Sequence, residues 1–282
     1  MKSLLIAILL IPFMVLSQEN DLLAEIDTMS LNDPVKSAFK GLKIVNFEST
    51  KMVSQGELYF VVSHRFGSVK TGFEDFFGLD QAVTRLNFIY GISDGINVGV
   101  SRSSFQKIYE SSLKLRLLSQ RDQGSPFSIV SFNTFLINTQ LDEVNLPLLE
   151  FVDRLGYTFQ LLVSRKFNEN FSLELIPTFF HENFVAIDEQ DNSQMAIGIG
   201  GRHKLSKRWS LNLDYGIHLN RAENSPFKNP FSVGFDLETG GHVFQLHFTN
   251  AQPMNTNGFL GQTTGDWGSG DFFFGFNLSR VF

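Results

Sequence analysis

The chain contains no cysteine, no excess of positive charge, and after its first residues no run of about 18 apolar residues. Lack of Cys removes disulfide frameworks, thiolate zinc sites, Cys nucleophiles and a Cys-linked lipid anchor together. With 23 Lys and Arg against 29 Asp and Glu, the net charge is −6. That balance argues against nucleic acid as a partner, because neutralising phosphates takes clustered Lys and Arg. Without a long internal apolar run, no helix after the N-terminus has the length to cross a bilayer. What the 282 residues do hold is 31 Phe and 23 Gly at modest charge, which suits strands alternating between two environments.

Met1-Lys2 followed by the apolar run Leu4 to Leu16 and the small Ser17 predicts a secretory signal at residues 1–17, cleaved to leave Gln18 first. Residues 18–54 form an N-terminal extension. Within it Leu22, Leu23, Ile26 and Met29 suit a short amphipathic helix that Asn32-Asp33-Pro34 breaks. Ala38 to Ser49 carries Phe39, Leu42, Ile44, Val45 and Phe47 with poor phase, and is expected in the lumen or the periplasm.

Residues 55–282 carry the barrel. From Met195 to Leu219, apolar Met195, Ile197, Ile199, Trp209, Leu211, Leu213, Tyr215, Ile217 and Leu219 recur at every second position. Gln194, Gly198, Gly200, Arg202, Ser210, Asn212, Asp214, Gly216 and His218 fill the other face. A period of two means strands, and the turn of about three residues at Ser206-Lys207-Arg208 means an antiparallel hairpin. Similar segments at about 55–66, 80–91, 94–104, 107–120, 125–138, 152–166, 170–182, 193–205, 208–220, 230–239, 242–250 and 270–282 give twelve strands. Short turns (Ser93-Asp94-Gly95, Asn168-Glu169-Asn170, Thr239-Gly240-Gly241) interleave with long links at about 67–79, 139–151, 183–192, 221–229 and 251–269. One link, near Phe105-Gln106, is short where a long one is expected. Sorting of this kind fits an outer-membrane up-and-down barrel with short periplasmic turns and external loops.

A soluble secreted barrel or sandwich shows the same period with the apolar face turned inward. Against it stand the scarcity of Lys and Glu rows on the polar face and the aromatics near strand ends (Tyr90, Tyr109, Phe167, Phe171, Trp209, Phe231, Phe248). The ending Phe272, Phe274, Phe276, Leu278 and Phe282 on one face resembles the terminal strand that the barrel-assembly machinery recognises, with Arg280 interrupting it. Outer-membrane lipid and that machinery are the expected partners.

Gly240-Gly241-His242-Val243-Phe244-Gln245-Leu246-His247-Phe248-Thr249-Asn250, the terminal Phe274 to Phe282, Ser63-His64-Arg65-Phe66-Gly67 and Phe77-Gly78-Leu79-Asp80 resemble an outer-membrane barrel family of the Bacteroidota, a domain of unknown function. The resemblance covers about residues 38 to 282. It implies an exported barrel with no known activity, so it brings no catalytic residue.

Nor do the residues point to a catalytic, cofactor or metal site. Ser210, Asp214 and His218 share a face, yet residues four apart in a strand lie about 13 Å apart, far beyond a hydrogen bond. A membrane-embedded hydrolase would need cross-strand partners such as His218 with Asp236 or Glu238. The acidic loop Asp188 to Asn192 lacks the Gly and terminal Glu of an EF-hand. What remains is the lumen, where Arg65, Arg85, Lys114, Arg116, Arg154, Glu174, Arg202, Asp214, His218 and Asp236 are expected to project inward. Two arrangements are open: a paired network that fills the barrel, or a narrow channel or binding barrel for small polar solutes with room left by Gly156, Gly198, Gly200, Gly216 and Gly234. A third option is a structural barrel acting through its external loops.

Overall fold

The computed structural model describes residues 33–185, 187–239 and 242–282. The expected signal at 1–17 and the helix around Leu22 to Met29 lie outside the described residues.

Alternation of apolar and polar residues produces twelve strands: β1 (Leu58–Ser68), β2 (Ala82–Ser93), β3 (Ile96–Ser103), β4 (Ile108–Leu118), β5 (Ser128–Asn138), β6 (Leu155–Lys166), β7 (Phe171–Glu182), β8 (Ser193–Lys204), β9 (Trp209–His218), β10 (Phe231–Thr239), β11 (His242–Thr249) and β12 (Phe273–Val281). Each pairs antiparallel with its sequence neighbours, and β1 pairs with β12 from Tyr59↔Val281 to Ser68↔Phe273, so the sheet closes on itself. The twelve-stranded up-and-down barrel expected from the period is what forms. Closure leaves no unpaired edge. In mid-wall the β6–β7 ladder skips two steps, at Pro177, which has no N–H to donate, and at Ile176 beside it.

The outer face is an apolar band: Phe88, Val100, Phe159, Met195, Ile199, Leu213 and Leu246 are all exposed. Polar and charged partners on the same strands point inward and are buried, the reverse of a soluble barrel. Among the described residues the short turns after β2, β6 and β8 lie at the end that holds Leu58 and Phe282, which are joined there by two backbone hydrogen bonds, and the link 119–127 between β4 and β5 shares that end. The links after β1, β5, β7, β9 and β11 lie at the other end. The brief link between β3 and β4 also belongs to that end, as a single 3-10 turn at Phe105–Lys107.

The core is inside the barrel. Phe39, Ile44, Phe47 and Met52 from the segment before β1 pack with Val130, Phe132, Leu162, Ile176, Phe180 and Ala196 from the β5–β8 wall and with Phe259 and Leu260 from the β11–β12 link. The apolar core thus lies against the β5–β8 wall, which also buries Gln160, Ser164, Ser172, Glu174 and Arg202, while β9 to β12 and β1 to β4 present Asn, Ser, Asp, Glu and Arg.

Candidate functional site: a plugged lumen

Residues 38–54 occupy the lumen. They enter at the short-turn end, where Pro34 bridges Arg121 and Val35 N–H donates to Gln120 O at 2.8 Å. They leave at the same end, where Gly56 N–H donates to Gly91 O at 2.9 Å. In between, Leu42 to Ser49 folds as a small hairpin: Ser49 N–H donates to Leu42 O at 2.8 Å and Ile44 N–H to Phe47 O at 2.8 Å. Its tip is Val45-Asn46.

The wall is built to receive that tip. Asp214 Oδ2 accepts from the backbone N–H of Val45 at 3.1 Å, Asn46 at 2.7 Å and Phe47 at 3.1 Å. Asn46 Nδ2 donates to Ser232 Oγ at 2.9 Å and Thr249 Oγ1 at 3.0 Å. Arg65 Nη2 donates to Asn46 Oδ1 at 3.1 Å, and Gln245 Nε2 to Lys43 O at 3.0 Å. Lower down, Glu174 Oε2 accepts from Thr50 N–H at 3.0 Å, Thr50 Oγ1 lies 2.5 Å from Ser164 Oγ, and Asn97 clasps both the N–H and the C=O of Val53. Glu48 meets two cations, Lys43 at 3.0 Å and Lys114 at 3.4 Å. Burial alone raises the Glu48 carboxyl, but the neighbouring Lys43 and Lys114 outweigh it and hold it below the ordinary carboxylate value. Burial also lowers the Lys43 ammonium, against the pull of Glu48.

The inward glycines are sockets. A Cβ on Gly198 would meet the Phe47 ring at 2.5 Å, and one on Gly200 would meet Ile44 Cδ1 at 2.2 Å. A Cβ on Gly91 would collide with Ser54 O at 2.0 Å, where the plug leaves the lumen. Room that the sequence offers to a channel is taken by the plug's own side chains.

From the long-loop end a second insertion descends. The link between β11 and β12 carries the short helix α1 (Thr256–Gly261), every residue of which is buried. Arg85 Nη1 donates to Met254 O at 2.9 Å, Arg221 Nη2 to Leu260 O at 2.9 Å, and Thr158 Oγ1 to Asn257 Oδ1 at 2.5 Å. The two insertions meet edge to face, Phe47 against Phe259, with ring centroids 4.8 Å apart.

Of the residues expected in the lumen, Arg65, Arg85, Lys114, Glu174, Arg202, Asp214, His218 and Asp236 are buried there. Arg85 pairs with Glu110, and Asp236 accepts from Gln245 Nε2 at 2.9 Å. Arg116 is at the rim, exposed, lining a cavity of about 170 Å³ with Pro34, Val35 and Lys51. Arg154 is a correction. It lies before β6 in a 3-10 turn, Phe151–Arg154, at the long-loop end, and its guanidinium bonds Leu141 O. Asp153 accepts from Glu150 N–H at 2.8 Å and holds that turn, so the strand starts later than the expected 152. Ser210, Asp214 and His218 make no hydrogen bond to one another; the His218 ring lies against Phe180 with centroids 5.4 Å apart. Gly156 faces the wall residue Leu136, and Gly216 faces Leu260 of α1. Among the described residues no group of three or more His, Asp and Glu is placed to hold a metal.

Sequence pattern missed the plug's partners. Asn46, Thr50 and Asn97 carry no motif; the one signal was apolar residues at 38–49 whose phase breaks at the hairpin tip.

Solved structures similar in fold include the KdgM porin, at 8% identity over 80% of this chain and 99% of that one, TM-score 0.49. An outer membrane channel from Pseudomonas putida F1 matches at 13% identity over 83% and 98%, TM-score 0.49. The Acinetobacter baumannii outer membrane protein Omp33 matches at 8% identity over 80% and 98%, TM-score 0.45. No curated protein sequence matches. A family profile does, from Phe39 of the plug to the final Phe282, and the chain accordingly belongs to the family described as membrane bound beta barrel domain (DUF5777), matched over residues 39–282.

Proposed function

We propose that this protein is an outer-membrane barrel that admits or binds small polar solutes in a lumen held shut by its own residues 38–54. Its short-turn end faces the periplasm, as in bacterial barrels generally. It is exported by the signal at 1–17 and inserted by the barrel-assembly machinery. We assign it no catalytic activity. The observation that carries this reading is the chemistry of the plug's attachment. The hairpin tip is held by hydrogen bonds to Asp214, Ser232, Thr249 and Arg65, groups that water or a polar solute replaces when the tip withdraws.

Planar-bilayer recording tests it on a Thr50→Cys/Ser164→Cys variant, whose sulfurs fall where two oxygens lie 2.5 Å apart in a chain without other cysteines. Stepwise conductance in the reduced form and silence in the oxidised form are expected. Silence of the reduced form and of Asp214→Ala alike sinks gated passage.

A second reading has its own observation. Val144 and Leu148 of the β5–β6 link are 89% and 93% exposed, and Phe73 of the β1–β2 link is 85% exposed. Apolar side chains so displayed on loops suit contact with a surface partner. A barrel silent in both variants leaves this loop-borne role.

A further inference from the structure

Three arginines of the wall are deeply buried in the lumen: Arg65, Arg85 and Arg202. The first two hold side-chain partners, although Arg65 Nε, like Arg202 Nε, has no acceptor. Arg65 bonds Asn46 and Asn277, and Arg85 bonds Glu110, Ser101 and Met254 O. Arg202 is 5% exposed, yet its guanidinium makes no hydrogen bond or ion pair among the described residues, and Nε is buried without an acceptor. A buried guanidinium nitrogen without an acceptor is costly, so an anion that supplied one would be held favourably here.

The surroundings supply more donors, and the one unpartnered amide acceptor opposite it, Asn212 Oδ1, is neutral. Across the ladder Arg202 stands opposite Ser172 on β7 and Asn212 on β9, and Ser172 stands opposite Lys166 on β6. Lys204, two residues on and so on the same face, stands opposite Ser210. The hydroxyls of Ser172 and Ser210 are buried and unpartnered too. Lys36 and Lys204 join Arg202 as charged neighbours of Lys166, and so does Glu169. Asp236 and Glu238 are the carboxylates that act on Arg202; Glu238 pairs with Lys40, while Asp236 accepts from the neutral Gln245 amide and makes no ion pair among the described residues. No ion pair reaches Lys36, Lys166 or Lys204 among the described residues.

We propose that Arg202, with Lys166, Lys204, Lys36 and the hydroxyls of Ser172 and Ser210, forms a binding site for a small oxyanion, carboxylate or phosphate, at the short-turn mouth of the lumen. This rests on the polar-solute reading above and narrows its solute to an anion. Guanidinium and ammonium donors at neighbouring inward positions suit an oxyanion, and Arg matches carboxylate and phosphate with two parallel bonds. The site lies beside the place where the plug enters: Gln120, which accepts from Val35 N–H, also bonds the N–H and C=O of Lys166. An anion held there sits beside the plug's point of entry.

Isothermal titration of the full-length barrel in detergent micelles, with inorganic phosphate and separately with acetate, tests the site without needing an open pore. Saturable binding of at least one is expected, weakened about tenfold or more in Arg202→Gln and several-fold in Lys166→Gln. Arg165→Gln, the same charge change on the outer face of β6, is expected to leave it unchanged. Absence of saturable heat with either anion overturns the proposal, as does an equal loss in Arg165→Gln and Arg202→Gln. If Arg202→Gln fails to fold, by the heat-dependent gel shift of closed barrels, Lys166→Gln against Arg165→Gln decides alone. Binding without conductance refutes passage and keeps the site; conductance without binding does the opposite.

Discussion

Asp214 Oδ2 gathers three consecutive backbone N–H groups, those of Val45, Asn46 and Phe47, at 2.7 to 3.1 Å. An Asp214→Ala substitution strands those donors in a buried site, at about 1–3 kcal/mol for each one left unsatisfied. The hairpin tip is then expected to leave the lumen far more often. Lys40, Lys43 and Lys51 are trypsin sites on that segment, so mass spectrometry of a tryptic digest of the intact barrel checks it. Cleavage within 40–51 should appear in Asp214→Ala and be slow in the parent. Equal rates would place the hold on the plug elsewhere.

Socket glycines make the converse test. In Gly200→Val the new side chain overlaps Ile44, whose Cδ1 lies 2.2 Å from a bare Cβ. Overpacking of this kind costs about 1–3 kcal/mol. The plug should be displaced while the wall stays closed, read as tryptic cleavage at 40–51 with an unchanged heat-dependent gel shift.

These variants address the part of the molecule least legible in its sequence. Wall strands announce themselves because each faces two solvents of opposite polarity; Met195 to Leu219 shows this in the clearest form, and β8 and β9 fall inside the expected bounds. Residues 42–49 face one enclosed space whose two sides differ, Asp214 and Ser232 on one and Phe180 on another. Leu42, Ile44 and Phe47 therefore obey no single period, and a reversal at Val45-Asn46 breaks what phase there is. Arg154 was misplaced for a related reason: Phe151 and Val152 continue the apolar tone of β6 although Asp153 has already turned the chain. The inward glycines were legible as small; that Phe47 and Ile44 fill them was not, because complementarity between distant segments leaves no local mark.

Glu48 sets the pH behaviour of the plug. Its carboxyl is held below the ordinary value by Lys43 and Lys114. A depressed carboxylate contributes fully above the unfolded-chain pKa, about 4.3, and the contribution drains away as pH falls through the lower folded value. Glu48→Gln should therefore lower stability at pH 7 by about 3–5 kcal/mol, the cost of breaking a buried pair. Urea midpoints of vesicle-inserted protein should differ between parent and variant at pH 7 and converge as pH falls below about 4.

Exposed loop residues should behave in the opposite way. Leu148→Ser is expected to change stability by less than about 0.5 kcal/mol, because the side chain is 93% exposed and packs on nothing. On the band around the barrel, Leu213→Lys puts a charge into the apolar surroundings, and a cost of up to about 2–4 kcal/mol at mid-depth is expected in the same urea assay.

Arg65 reaches Asn46 of the hairpin with one nitrogen and Asn277 of β12 with another, and it sits on β1, the strand that follows the plug directly. The seam between first and last strands and the seating of the lumen's contents are thus tied through one side chain. A movement that frees Asn46 from Arg65 also reaches the strand that closes the cylinder, so the state of the interior can be felt in the wall.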